Sequence, residues 1–447
     1  MTNKKRQVEI MAPAGNFESL MAAIQGGANS VYFGVENLNM RSHSANNFTL
    51  SDLPKIVELS KEHDFKTYLT LNITIYNAEL DKVHETLDAA KAADISAVIA
   101  SDMSVIMYAR QIGLEVHIST QLSISNSEAL RFYAQYADVV VLARELNLHQ
   151  VRKIYEIIQK DQIKGPSGHL VEIEMFAHGA LCMSISGKCH LSLHEYGASA
   201  NRGACYQVCR HAYRLSDDET GNELVVDNDY IMSPKDLCTI EFLDKMIDAG
   251  VFVLKIEGRA RAAEYVKRVV SVYREAADKV LSDMELRDAE LANTGQCARD
   301  AEGKSHLGLS PSQRHAYTVE YTTEAKKRLS EVFNRGFWDG YYQGARLGQW
   351  SEVYGSKATK RKVYLGKITN YFSNISVAEI LLESGELSVG DDVLIMGPST
   401  GVIEHKVSEI RVDLKPVNKA VKGDLLSIPI DEKLRRSDKL YVVQIKK

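Results

Sequence analysis

Four of the six cysteines in this sequence of 447 residues lie within one short segment. They are Cys182, Cys189, Cys205 and Cys209, with the spacing C-x6-C-x15-C-x3-C. Four thiolates form a suitable ligand set for zinc or for an iron–sulfur cluster. Structural zinc sites usually contain two close cysteine pairs, and only the last pair is close here. The spacing therefore favours an iron–sulfur cluster, with zinc as the alternative metal.

A fifth cysteine, Cys238, is the alternative fourth ligand. The residues before it, MSPKDL over 232–237, are typical of a helix start, with Ser233 as the N-cap and Pro234 at the first helical position. Cys238 is then predicted on the apolar face of a helix, where a cysteine more often belongs to the core. The four clustered cysteines are therefore the preferred ligands.

Charged side chains interrupt a strand-like apolar run further along the chain. The sequence LKIEGRAR over 254–261 places Lys255, Glu257 and Arg259 on and just after a predicted buried strand. Charges in such a place cost free energy unless they are paired or take part in chemistry. In the functional interpretation, the two cations hold carboxylates of an anionic substrate and Glu257 orients them. The alternative is a structural ion pair.

The strand-like run before the cysteines raises the same question. It contains Glu174 and ends at His178, close to the first cysteine in sequence, where an acid–base role or a buried structural role is open. The candidates for catalysis are Glu174, His178 and Glu257. Guanidinium groups pair bidentately with carboxylates and phosphates, and amides near strand ends can complete such a site. The candidates for substrate binding are Lys255, Arg259, Arg41, Arg202, Asn72 and Gln121.

Eight strand-like runs separated by helical patterns must position these side chains. The runs cover 8–15, 30–35, 66–72, 97–101, 115–120, 138–143, 171–178 and 251–258. This number of units predicts an α/β fold of the (β/α)8 TIM-like type rather than a doubly wound open sheet, and no glycine fingerprint follows the first strand. In such a barrel, the ends of the strands meet on the catalytic face. The cysteine-rich loop is then an insertion on that face.

Three parts of the chain are predicted. Residues 1–285 form the barrel with the cysteine loop at 182–210, and 286–360 form a linker followed by a helical and aromatic connector. Residues 361–447 contain only short alternating strands, which predicts a small all-β barrel. Basic residues cluster at its two ends in sequence, at 357–362 and 433–439.

Composition limits the classes of function. The formal net charge of −5 argues against nucleic-acid binding through bulk charge but leaves room for a local basic patch. No apolar run approaches the length of a membrane span, and the N-terminus lacks the apolar core of a signal peptide. We therefore expect a cytoplasmic protein, in which clustered cysteines bind metal rather than form disulfides.

The sequence resembles the peptidase U32 family over nearly its whole length. The run EMFAHGALCMSISGKCHLS over 174–192 matches every specified position of that family's signature. The blocks APAG, GACYQVCR, SPKDL, LKIEGR and FNRGFWDGY are also similar to recurring blocks of the family.

The resemblance implies an RNA hydroxylase. Members of this length and layout modify tRNA or rRNA, and the most similar layout belongs to enzymes that hydroxylate uridine 34 of tRNA at C5, towards 5-carboxymethoxyuridine, with prephenate as co-substrate. Several members bind a [4Fe–4S] cluster through cysteines at the positions matched here by 182, 189, 205 and 209. The expected partners are tRNA and a small dicarboxylate, and no membrane partner is expected. The protein is expected to form a homo-oligomer or a hetero-oligomer with another U32 protein.

Three alternatives stay open at this point. Relatives hydroxylate 23S ribosomal cytidine, and the family name implies a collagenase-like peptidase. The sequence supplies neither a nucleophile–base pair nor the H-E-x-x-H helix of a zinc protease. A non-catalytic subunit that binds a cluster is the third alternative.

Overall fold

The computed structural model contains a closed barrel of eight parallel strands, as predicted. It describes residues 7–42, 46–213, 219, 232–294, 316–345, 348–353 and 355–446, with side chains of the long helix only to residue 286. The barrel strands are β1 (Glu9–Pro13), β2 (Ser30–Gly34), β3 (Lys66–Leu71), β4 (Ala97–Ala100), β5 (Glu115–Ile118), β6 (Val139–Val141), β7 (Glu172–Gly179) and β9 (Val251–Ile256). Neighbouring strands pair in chain order, and β9 pairs with both β1 and β7, which closes the barrel.

Helices cover the outside of this barrel. They are α1 (Phe17–Gln25), α2 (Leu53–His63), α3 (Leu80–Ala92), α4 (Met103–Gln111), α5 (Ser127–Tyr133), α6 (Leu148–Asp161), α8 (Leu243–Asp248) and α9 (Ala263–Thr294), whereas α7 (Leu191–Tyr196) lies in the loop that follows β7. Asparagine caps begin several of them, and Asn16 Oδ1 accepts a hydrogen bond from Ser19 N at 2.8 Å, as the sequence predicts for α1. The strands are buried on both faces, because helices pack outside them and side chains fill the interior.

The prediction of a helix start at Ser233 is wrong. Residues 236–238 form a short strand, β8 (Asp236–Cys238), which pairs antiparallel with β7 and parallel with β10 (Phe337–Trp338). The aromatic segment that supplies β10 lies after α10 (Val319–Ser330) and extends the sheet beside the barrel. Tertiary pairing of this segment overrides the local Ser-Pro signal, so the backbone before Cys238 is extended.

Residues 360–446 form the predicted all-β domain. Its strands are β11 (Lys360–Phe372), β12 (Val377–Leu382), β13 (Glu386–Ser388), β14 (Asp392–Gly397), β15 (Gly401–Lys406), β16 (Ile410–Val412), β17 (Lys415–Val417), β18 (Lys419–Val421), β19 (Leu425–Pro429) and β20 (Lys439–Ile445). They form an eight-stranded antiparallel sheet in the order β15-β14-β20-β11-β12-β19-β16-β17 and a two-stranded sheet of β13 and β18.

The all-β domain packs against α1 and α9 of the barrel. Gln25 Nε2 donates to Thr400 O at 2.8 Å, and Lys362 Nζ forms an ion pair with Glu264 at 2.8 Å. Lys360 forms another ion pair with Glu331 at 2.9 Å. The basic run at 357–362 is therefore used in contacts with the barrel and its connector. Over the described ranges, no helix combines the length and hydropathy needed to cross a membrane.

Candidate metal and anion site at the barrel mouth

The C-terminal ends of the barrel strands meet at one opening, which we call the barrel mouth. Five of the predicted residues form a connected set there, which we call the charged cluster: Glu174, Lys255, Glu257, Arg259 and Arg41. The cysteine loop, residues 182–210, follows β7 and lies against the same opening. The rule that a barrel carries its functional groups at the strand ends thus selects residues that the fold does bring together.

The ion pair between Glu174 and Lys255 lies inside the barrel. Lys255 Nζ is 2.6 Å from Glu174 Oε1, and both side chains are buried. The ammonium also lies 4.8 Å from the centre of the Tyr32 ring, which favours the cation. His117 Nδ1 is 3.9 Å from Glu174 Oε2, and neither atom has a hydrogen-bond partner among the described residues. Sequence reasoning missed His117, although its inward position in the alternating strand EVHI is a usable signal.

Glu257 is held as a carboxylate at the mouth. Arg41 Nη2 contacts Glu257 Oε1 at 2.7 Å, and the Tyr32 hydroxyl lies 3.3 Å from Oε2. Burial alone would raise the pKa of Glu257, but the positive charges of Arg41, and then of Arg144 and Arg259, lower that pKa to about 2. Glu257 is therefore ionised at physiological pH, and in this state it accepts hydrogen bonds and carries no proton to donate.

Arg259 is fully enclosed by the protein. Its Nη1 donates to Thr70 Oγ1 at 3.0 Å and its Nη2 donates to Asn39 Oδ1 at 2.6 Å. Burial lowers the pKa of Arg259 to about 10, so the side chain stays charged at neutral pH. A Cβ atom on Gly34 would lie 2.2 Å from Arg259 Nη1, so β2 must end in glycine for the guanidinium to fit.

Asn72 and Gln121 support the loops around the mouth. Asn72 Oδ1 accepts from Met40 N at 3.3 Å, and Gln121 Nε2 donates to Asn72 O at 3.1 Å. The Ser119 hydroxyl donates to Gln121 Oε1. Gln121 also lines a cavity of about 150 Å³ between the strand ends and the cysteine loop, together with Asp102, Lys188 and Asn201.

The cysteine loop has little regular structure. It contains the short helix α7 and two single 3-10 turns, at 200–202 and 208–210. All four thiols are free, with Cys182 exposed and the others half-buried. Burial raises the pKa of the Cys209 thiol, Arg210 opposes this rise, and the charges of the other three cysteines add to it, so the four thiols are neighbours. Within the described ranges, no three His, Cys, Asp or Glu side chains are already arranged to hold a metal ion.

Two arginines attach the cysteine loop to the barrel. Arg202 forms two hydrogen bonds with Glu79, at 2.6 and 2.7 Å, and a third with Thr74 O at 2.6 Å. Arg210 donates to Leu181 O at 2.7 Å and to Pro234 O at 2.8 Å. These donors hold the loop against the barrel, and substrate binding by Arg202 stays a prediction.

The side chains of His178 and Cys238 pack on Tyr273, although His178 O accepts a hydrogen bond from Glu257 N at 2.8 Å. The pairing of β7 with β9 shifts register between Phe176 and His178, and the His178 ring packs outside the barrel, 5.5 Å from the Tyr273 ring. Burial lowers the pKa of His178 to about 3, so the ring is neutral. Cys238 is buried beside it, 3.9 Å from the Tyr273 hydroxyl, and burial raises the pKa of its thiol to about 11. Neither environment suits a metal ligand or a proton donor.

One arginine at the mouth was not selected from the sequence. Arg144 follows β6, and its guanidinium carbon lies 3.9 Å from the centre of the Phe176 ring. Its charge also lowers the pKa of Glu257. The same signal that identified Lys255 was present, because a charged residue directly follows the buried run VVVLA.

Comparison with known proteins gives this architecture a family. Residues 15–352 match the model of peptidase family U32. The chain belongs to this family. The match includes the barrel from α1 onward, the cysteine loop and the aromatic segment that supplies β10, so every residue of the candidate site lies inside it.

The relatives of this U32 protein carry names from two areas of chemistry. A protein named "Collagenase" from Porphyromonas gingivalis is 55% identical over 433 residues, which are 97% of each chain. The "tRNA hydroxylation protein P1" of Bacillus subtilis is 32% identical over 92% of this chain and 89% of its own. The "23S rRNA 5-hydroxycytidine C2501 synthase" of Escherichia coli is 32% identical over 73% of this chain and 47% of its own.

Proposed function

We propose that this U32 protein is an RNA hydroxylase that adds oxygen to C5 of a pyrimidine. More specifically, we propose that the substrate is the wobble uridine of tRNA and that prephenate is the co-substrate that supplies the oxygen. The observation that carries it is the meeting of four free thiols and a buried cationic cluster at one barrel mouth. The names of the Bacillus and Escherichia relatives support the reaction class.

The thiols fit an iron–sulfur cluster. Cys182, Cys189, Cys205 and Cys209 would hold a [4Fe–4S] cluster, because four neighbouring thiols in one loop are the donor set that such a cluster uses. Zinc is the alternative for the same donors. When bound, an iron–sulfur cluster would supply electrons or a Lewis-acidic iron to the reaction. The residues of the barrel bind and orient the substrates beside it.

The charged cluster fits a small dicarboxylate. Lys255, Arg41 and Arg259 supply positive charge in a place shielded from water, where attraction to an anion is stronger than in solvent. A pyrimidine base must also reach this mouth. A base in an anticodon loop is unpaired, so little free energy is needed to turn it out of the stack.

The all-β domain offers a surface for RNA. Lys433, Arg435 and Arg436 line a groove of about 560 Å³ together with Tyr371. Tyr371 is half-buried, and its hydroxyl donates to Ile430 O at 2.9 Å, so the exposed cations are the groups that suit a phosphate backbone. We assign the backbone contacts to this groove rather than to the run at 357–362, because that run is paired within the protein. An RNA substrate would place the enzyme in the cytoplasm.

Nucleoside analysis of a deletion strain tests the proposal. We expect tRNA from cells lacking this chain to lose 5-oxyuridine derivatives, measured by liquid chromatography and mass spectrometry. A plasmid with the wild-type gene should restore them, and one with Cys182→Ser should not. If 5-oxyuridine derivatives are unchanged and 5-hydroxycytidine in 23S rRNA disappears, the substrate is ribosomal. If both are unchanged, the hydroxylase proposal fails.

Peptide hydrolysis is the second candidate, because the 55% identical relative is named "Collagenase". The two buried carboxylates at the mouth, Glu174 and Glu257, each accept from a cation, which makes them weak bases toward water. Purified protein that cleaves gelatin, and loses this activity on Glu257→Gln, would establish the peptidase instead.

A further inference from the structure

The cations of the charged cluster are already paired with protein groups. Lys255 contacts Glu174, Arg41 contacts Glu257, and both terminal nitrogens of Arg259 donate within the protein. Arg144 differs. Among the described residues, no hydrogen bond or ion pair reaches its guanidinium, and its buried Nε has no partner. An arginine head group partly removed from water with free donors is costly unless something outside the protein accepts from it.

The backbone places Arg144 at the mouth. Leu142 N donates to Glu174 O at 3.1 Å and Ala143 N donates to Ile124 O at 2.8 Å, so the barrel wall continues through residue 143. Arg144 is the first residue beyond this wall. Its guanidinium packs on Phe176, whose ring centre is also 5.6 Å from Lys255 Nζ. The free donors therefore lie on the same aromatic side chain as the ammonium of the charged cluster.

The charges at the mouth do not balance. Lys255, Arg41, Arg259 and Arg144 supply four positive charges, and Glu174 and Glu257 supply two negative ones, which leaves an excess of two. A bound anion would offset this excess, which is counted for these six side chains alone and leaves out the thiols of the cysteine loop, two of which act on the charge of Arg41. Because a guanidinium presents two parallel donors, a planar carboxylate is the group that it binds best.

We propose that Arg144 binds a carboxylate of a small carboxylic acid, with the ring or chain of that acid against Phe176. This inference rests on the proposed function, because it assigns the residue that receives the co-substrate. Arg144 acts here as a binding residue, and the paired cations of the charged cluster supply the field around it.

Another arginine near the mouth has a different environment. The guanidinium of Arg261 also has no hydrogen bond among the described residues, and its central carbon lies 3.5 Å from the centre of the Phe333 ring. Phe333 lines the cleft between the barrel and the all-β domain, so Arg261 faces that cleft. Arg261 is therefore not a second residue of the site.

Calorimetric titration of the anaerobically purified protein tests the assignment without requiring turnover. Prephenate is titrated into wild type, Arg144→Gln, Arg144→Lys and the surface control Arg131→Gln, whose side chain pairs with Asp161 on the outside of the barrel. We expect Arg144→Gln to weaken prephenate binding roughly 10- to 100-fold, because charge-assisted hydrogen bonds are lost. The prephenate affinity of Arg144→Lys should lie between those of wild type and Arg144→Gln, since lysine keeps the positive charge but lacks the two parallel donors of a guanidinium.

Separate titrations with inorganic phosphate and with tRNA distinguish the sources of the oxyanion. If Arg144→Gln weakens tRNA binding and leaves prephenate binding unchanged, Arg144 contacts RNA phosphate and the carboxylate assignment is overturned. Equal prephenate affinity in all four proteins also overturns it, as does a wild type that does not bind prephenate. The nucleoside analysis decides independently whether the protein is an RNA hydroxylase.

Discussion

The charged cluster and the cysteine loop lie at the same opening but are built in different ways. The cluster sits on strand ends whose backbones are fixed by parallel ladders on both sides. The loop consists of one short helix and single turns, and long-range side-chain contacts such as Arg202–Glu79 attach it to the barrel. The barrel strands therefore order most of the anion site, although Arg41 lies on a loop that the cysteine loop contacts. The thiols depend on a few contacts and on what they bind.

This difference has an energetic consequence. Buried ion pairs on rigid strands are costly to break, because the remaining charge cannot return to water. Thiols in an irregular loop have little packing to lose, and metal binding can supply much of their order. Stability should thus respond strongly to changes in the cluster, and metal content to changes in the loop.

The largest effect is expected for the buried pair. Lys255→Met removes the ammonium and leaves Glu174 charged inside the barrel, which should lower the free energy of unfolding by about 3–5 kcal/mol. The measurement is urea unfolding followed by circular dichroism. Lys55→Met is the matched control, because Lys55 pairs with Glu58 at 2.8 Å on the surface and should cost less than about 1 kcal/mol.

A second variant separates charge from volume. Adding Glu174→Gln to Lys255→Met removes the unpaired carboxylate and should recover part of the lost stability. If Lys255→Met is no less stable than Lys55→Met, the cluster is not held rigidly by the barrel, and the contrast with the loop disappears.

The next largest effect is a pH dependence of stability that comes from Glu257. Glu257 has a pKa of about 2 in the folded protein, compared with an ordinary value of about 4.3 when unfolded. The folded pKa is depressed, so this stabilisation is complete above the unfolded pKa and is lost as the pH falls towards 2. Its size is about 3 kcal/mol. Urea unfolding at pH 6 and pH 3 should show a stability gap between wild type and Glu257→Gln that narrows at pH 3, whereas a gap independent of pH would contradict the ion pair with Arg41.

The smallest effect on folding is expected in the loop. Cys182 is exposed, so Cys182→Ser should change the free energy of unfolding of the metal-free protein by less than about 0.5 kcal/mol. The same variant should lose most of its iron and sulfide after anaerobic purification, measured chemically and by visible absorption. Cys238→Ser is the control, because this buried thiol should affect stability and leave iron content unchanged. The opposite pattern would make Cys238 the ligand, and stoichiometric zinc without iron would remove the iron–sulfur proposal.

Much of this organisation could be predicted from the sequence. Apolar runs with helical patterns between them predicted all eight barrel strands, and charged residues at the ends of those runs predicted Lys255, Glu257 and Arg259. The apolar strand runs and the helical patterns after them are local features, because each can be recognised within a single strand–helix unit of the sequence. The partners of these charges could not be predicted, because Arg41 and Glu257 are brought together only by barrel closure.

The misplacements have specific physical causes. His178 was expected near the thiols, but a register shift after Phe176 reverses the direction of the side chains, and such a shift leaves no mark on period-two alternation. Ser233 and Pro234 have the residue types of a helix start, but their backbone bridges to Trp350 and Ser351, and the residues after them pair with β7 and β10. The pairing of Arg202 with Glu79 could not be predicted either, because Glu79 comes from a distant part of the chain.

Gly203 connects the two regions in a way that affects the order of folding. Its φ angle is +84°, and a Cβ atom there would lie 2.5 Å from Asn39 O and 2.1 Å from the Ser42 hydroxyl oxygen. The cysteine loop therefore presses its backbone directly against the segment that carries Arg41. That segment is synthesised early but can reach its final position only after the distant residue 203 has folded, so we expect Arg41 to meet Glu257 late, after the barrel strands have paired.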